Sequence, residues 1–98
     1  MPIYRVLLRG QNFWLRVSGE LQHLGFFTNR FVEAPDLPSA ENLALDSLRA
    51  DPKLRSAEND PADRPTIFID DAQVVPASEV PEVVQGYVFF PEERQDDS

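Results

Sequence analysis

The sequence predicts an α+β domain: a single antiparallel sheet of about five strands with one main helix packed on one face, in the order β-β-β-α-loop-β-β. Two observations predict it. Apolar side chains alternate with a period of two through residues 3–9, 13–17 and 25–34, and again near 66–75 and 86–90. Between residues 37 and 51 the apolar spacing switches to three and four, the period of a helix lying on a core.

The first strand is Ile3 to Arg9, with Tyr4, Val6 and Leu8 on one side and Ile3, Arg5, Leu7 and Arg9 on the other. Gly10-Gln11-Asn12 is a turn or bulge signal. Phe13 to Val17 resumes the alternation, Ser18-Gly19-Glu20 turns the chain, and Gly25 to Ala34 is a longer strand rich in Phe, Thr and Val. Short turns between consecutive strands favour an antiparallel meander.

The helix starts at Asp36-Leu37-Pro38-Ser39. The short Asp36 carboxylate suits a cap for free backbone amides, and Pro38 falls in the first turn, where a missing N–H is harmless. Leu37, Ala40, Leu43, Ala44, Ser47 and Leu48 form its apolar or small stripe, and Ala40 and Ala44 permit a close approach to the sheet. Asp51-Pro52 stops it, because the residue before proline avoids helical geometry. Residues 55–65 have no large apolar side chain and read as a flexible acidic loop. Thr66 to Ile69 and Ala72 to Val75 are strand-like on either side of Asp70-Asp71. Ser78 to Val84 has room for one helical turn, and Gly86 to Phe90 is the last strand. The ordered domain is therefore 1–91, with 92–98 a disordered acidic tail.

Composition narrows the function. The chain has 98 residues, no cysteine and one histidine, His23, so disulfide frameworks, thiol catalysis and cysteine-held metals are excluded. No apolar run approaches the roughly 20 residues that span a bilayer, and no signal-like leader opens the chain, so a cytoplasmic protein is expected. The net charge is -8, and all of it falls in the second half: residues 1–49 hold five acids and five bases, residues 50–98 twelve acids and four bases. Such a surface disfavours nucleic acid and anionic membranes as partners.

No catalytic constellation is visible. His23 lacks a recognisable nucleophile partner and reads as a turn or strand-edge residue. Asp70-Asp71 lack calcium-loop spacing and read as turn-forming acids. No enzyme, cofactor or metal site is expected. The informative feature is three adjacent aromatic pairs in strands, Phe13-Trp14, Phe26-Phe27 and Phe89-Phe90. Neighbouring strand residues point to opposite faces, so each pair sets one ring on each side of a sheet that owns one helix. A bare apolar face is unusual for a soluble monomer. The expectation is a non-catalytic interaction module that self-associates as a homodimer through an aromatic sheet face or a strand edge, using Trp14, Phe27, Phe89, Arg5 and Arg16. Another protein is a further candidate partner. Two alternatives stand beside it. One is an acidic inhibitor or immunity-type protein against a basic partner, which requires the late acids to form one patch. The other is a small-ligand-binding domain with a pocket between sheet, helix and loop, served by Asp70 or Glu33.

Overall fold

A computed structural model describes residues 1–82 and 86–92. It is an α+β fold built on one antiparallel sheet with one main helix against it. The strands are β1 (Ile3–Val17), β2 (Glu20–Glu33), β3 (Thr66–Val75) and β4 (Val88–Pro91), in the spatial order β3-β1-β2-β4. Helix α1 (Leu37–Arg49) and the single turn α2 (Pro52–Arg55) join β2 to β3, and a 3₁₀ turn at Ala77–Glu79 follows β3.

There are four strands rather than five because Gly10-Gln11-Asn12 is a bulge and not a turn. Gly10 pairs with Phe26 and Phe13 with Leu24, so Gln11 and Asn12 together oppose the lone Gly25. The extra residue resets the pleat. Tyr4, Val6, Leu8 and Gly10 are buried before it, Phe13 and Leu15 after it, and both sets face the helix. Asn12 takes up the extra residue with φ 63°, a left-handed conformation that asparagine tolerates better than most residues. The true hairpin turn is Ser18-Gly19, both at positive φ (52° and 84°), which suits the twist of a two-residue connection. β2 therefore starts at Glu20, before the predicted Gly25. The same device recurs at Asp70. Leu7 pairs with Asp71 and Leu8 with Ile69, so Asp70 is a bulge inside one continuous strand.

Helix α1 begins as expected, with the Asp36 carboxylate accepting from Ser39 N at 2.9 Å. Ala40, Ala44 and Leu48, four residues apart, are fully buried against the sheet. Their small size lets the helix sit close over Phe13, Phe26 and the Val6–Leu8 stretch of the core. Asp51-Pro52 ends the helix and at once starts α2, since the Asp51 carboxylate accepts from Lys53 N at 2.9 Å.

The stretch before β4 is fastened to this junction. The Tyr87 hydroxyl donates to Asp51 Oδ2 at 2.5 Å, the Arg30 guanidinium lies over the Tyr87 ring at 5.1 Å, and Thr28 Oγ1 donates to Gly86 O at 3.0 Å. Burial and the bond to Asp51 push the Tyr87 phenol up to about 12, while that same bond and the Lys53 amide hold the Asp51 carboxyl below its ordinary range. Tyr87→Phe should cost about 1 kcal/mol, the small value reflecting a partly exposed site where water replaces the lost bond. The sign with pH differs for the two groups. The raised Tyr87 contributes stability present below pH about 10 and lost as pH climbs toward its folded value. The lowered Asp51 contributes stability present above about 3.9 and lost as pH falls through its folded value. Urea midpoints of wild type and Tyr87→Phe across pH should therefore converge at both extremes. A constant gap at every pH would show that the hydroxyl bond is not the cause.

Candidate functional site

The sheet face away from α1 is built by the residues whose side chains alternate outward along the four strands. Across the middle of the sheet one line of register runs Phe68, Arg9, Phe27, Val88, one residue from each strand, all on the same face. Phe68, Phe27 and Val88 are 38%, 37% and 68% exposed, so three large apolar side chains reach solvent along one belt. Phe90, one pleat on, packs its ring 5.5 Å from that of Phe27. It occupies the space over Gly25, where an added Cβ would lie 2.5 Å from the Phe90 ring. Arg9 crosses the belt with its guanidinium 4.7 Å above the Phe68 ring and 3.0 Å from Asp70 Oδ2.

Arg5 and Arg16 lie on this same face toward its two ends. Arg5 donates to Gln73 Oε1 at 3.2 Å, and Arg16 pairs with Glu58 at 2.6 Å. Trp14 is on it too, half-buried and stacked on His23 with centroids 4.5 Å apart. Phe89 is not. It points to the helix side, 6.0 Å from the buried Phe26 ring and under Lys53. Its neighbour Phe90 takes the outward place, because the pairing Gly25↔Phe90 sets the parity of β4. Of the residues expected to act together, Trp14, Phe27, Arg5 and Arg16 share a face and Phe89 belongs to the core side. Arg9, Phe68, Phe90 and Val88 complete the belt. Register alone aligns them, and the signal for it lay in the bulges.

Beside the belt the strand bulge anchors a polar cluster. Asn12 Nδ2 donates to Asp63 Oδ1 at 2.9 Å, and its Oδ1 accepts from His23 Nε2 at 2.8 Å, which places the His23 hydrogen on Nε2. The Asn12 backbone amide donates to both Glu92 carboxylate oxygens, at 3.1 and 3.2 Å, and Glu92 Oε2 lies 3.4 Å from His23 Nε2. The Asn59 side chain acts as one more strand residue: it donates to Asn12 O at 2.6 Å and accepts from Trp14 N at 3.2 Å. Glu58 N adds a bond to Trp14 O at 2.8 Å. Thus the loop expected to be free is tied to the edge of β1 that β3 leaves uncovered. His23 sits inside β2, between β1 and β4, rather than at a turn. Residues 93–98, the rest of the expected tail, lie outside the described residues.

The acids of the second half are spread through such contacts. Asp51 holds Tyr87, Glu58 holds Arg16, Asp70 holds Arg9 and Glu92 holds the bulge. Among the described residues no group of three or more histidines and carboxylates is placed to hold a metal ion, and no helix is long and apolar enough to cross a membrane. No family model, curated protein or solved structure matches the chain.

Proposed function

We propose that this protein is a non-catalytic interaction module that self-associates, with two copies stacking through the sheet faces that carry the belt. The observation that carries this reading is the alignment of Phe68, Phe27 and Val88, all exposed, in one line of register across all four strands. Apolar groups scattered singly over a surface need no cause, whereas exposed apolar side chains aligned in one register, with only Arg9 between Phe68 and Phe27, do.

A second copy is the occupant that fits best. With 15 and 14 residues in the central strands and a four-strand width at the belt, the face covers roughly 700 Å² at strand spacing. A standard interface takes about 800 Å² from each partner. The face also carries both signs of charge, Arg5, Arg9 and Arg16 beside Asp70 and Asp71. Two copies can therefore meet there without the repulsion that the net charge of -8 imposes on other surfaces. Stacked sheets pack with about 10 Å between them, which suits interdigitated phenylalanine rings.

Light scattering at about 100 μM protein should give a mass near 22 kDa, twice the 11.1 kDa of one chain. The double variant Phe27→Glu with Phe68→Glu should return it to one chain's mass with the circular dichroism unchanged. A wild type that stays at the single-chain mass, or a dimer indifferent to both glutamates, overturns this reading.

A further inference from the structure

On the opposite side of the sheet a cleft of about 430 Å³ opens between the end of α1, α2 and the start of β3. The chain leaves α1 at Arg49 and restarts at Pro52, and residues from the last turn of the one and the single turn of the other line the cleft together. Its floor is apolar: Phe13, Leu48, Leu54 and Ile67. Its lining also includes two arginines, Arg49 from α1 and Arg55 from α2.

Neither arginine is paired with a carboxylate from another element among the described residues. Acids outnumber bases by 17 to 9, and Arg9, Arg16 and Arg30 each lie against a carboxylate. Arg55 has no carboxylate partner among the described residues. Arg49 has only the solvent-exposed Asp46 one turn back on its own helix, at 3.3 Å, a contact of little worth. The one acid between the two helices, Asp51, is spent on Tyr87 and Lys53. The cleft thus combines two cationic side chains with an apolar floor on an anionic protein. Its size falls in the range of small-molecule sites, which pair apolar walls with a few convergent polar groups.

We propose that this cleft binds a compact anionic amphiphile, an apolar body of several carbons ending in one carboxylate. The body lies on Leu48, Leu54 and Ile67, and the carboxylate is held between Arg49 and Arg55, whose planar forks match its two oxygens. The sequence suggested a pocket between sheet, helix and loop served by Asp70 or Glu33. Asp70 instead pairs with Arg9, whose side chain lies on the other face, and neither acid lines the cleft. The ligand's sign is accordingly reversed.

The test is an amide and methyl NMR titration of the full chain with octanoate and with octanol, its uncharged match in length. A ligand of this size in an open cleft should bind with Kd on the order of a millimolar. Octanoate should shift the signals of Leu48, Leu54 and Ile67, with octanol at least about tenfold weaker, as expected for losing a charge-assisted contact. Arg55→Gln, an exposed site whose spectrum should otherwise be unchanged, should remove most of that preference, and Arg55→Lys should retain part of it. Equal binding of octanoate and octanol, no shift at these residues, or shifts confined to Phe27 and Phe68 on the other face would each overturn the proposal. The oligomeric state does not enter the result, so this site and the stacking face stand or fall separately.

Discussion

Gly10→Ala should lower the stability of this domain by about 2–3 kcal/mol, a large share of what a chain of this size has to lose. The cost is steric alone. Gly10 lies within a strand at an ordinary negative φ, so alanine fits the backbone there and even gains slightly from reduced chain entropy. The obstacle is Phe26, its partner in register, whose ring crosses the glycine. A Cβ built on Gly10 would lie 2.0 Å from a ring carbon. The ring has nowhere to go. It is fully buried, and Phe13, Tyr87 and Phe89 hold it at centroid distances of 5.2, 5.0 and 6.0 Å. The melting temperature should fall by about 15 °C. A companion change distinguishes this cause from a general strand effect. Phe26→Leu frees space above Gly10, so the double variant should lose less than the sum of the two singles. Additive losses in urea melts would mean that the two positions do not touch in solution.

That contact also shows what could and could not be read from the sequence. The alternation Tyr4-Val6-Leu8, its change of parity at Phe13-Leu15, and the helical spacing of Ala40, Ala44 and Leu48 are period signals. They place the core on one side of the sheet with the helix over it, and the buried residues agree. A parity change alone does not say whether the chain has turned back or slipped by one residue. Gly10-Gln11-Asn12 has the composition of a turn, and so does Asp70-Asp71. In both places the long neighbouring strand holds the chain straight and a bulge results, because ladder bonds on either side outweigh local turn preference. The count of strands therefore dropped from five to four.

The outward face was legible in part for the same reason. That each aromatic pair splits across the sheet follows from the pleat, and Phe13/Trp14, Phe26/Phe27 and Phe89/Phe90 do split. Which ring of a pair goes outward depends on register, a property of two strands at once. For β4, a strand of four residues, the deciding partner is Gly25, whose missing side chain leaves the space that Phe90 fills. The cleft was invisible in a different way. Arg49 and Arg55 are six positions apart on two different helices, and both line the same cleft. The tie between Asn59 and the edge of β1 is likewise a meeting of residues 47 apart in sequence, in a stretch whose polar composition resembles a free loop.

Asn12 concentrates that hidden order, and its replacement should have the other large effect. Asn12→Ala should cost about 3 kcal/mol, from two separable sources. Its side chain makes two short bonds, an exposed one to Asp63 at 2.9 Å and a half-buried one from His23 at 2.8 Å, each worth about 1 kcal/mol. Its φ of 63° adds about 1 kcal/mol once a Cβ without a local acceptor must occupy the left-handed region. Asn12→Gly removes the bonds and relieves the backbone, so it should be more stable than the alanine variant by about 1 kcal/mol. Damage should also spread in a defined direction. Without Asn12 the His23 ring keeps Glu92 and its stack on Trp14 but loses its shortest polar contact, Asp63 loses its bond to the bulge, and the amides of Glu58 and Glu92, which bond to Trp14 O and His23 O, should exchange with solvent faster while those of Val6 and Leu8 hold. Hydrogen exchange and urea melts on the two variants read both effects. Alanine and glycine variants of equal stability would remove the left-handed strain, and unchanged exchange at Glu58 and Glu92 would show that the bulge does not anchor the loop and the end of β4.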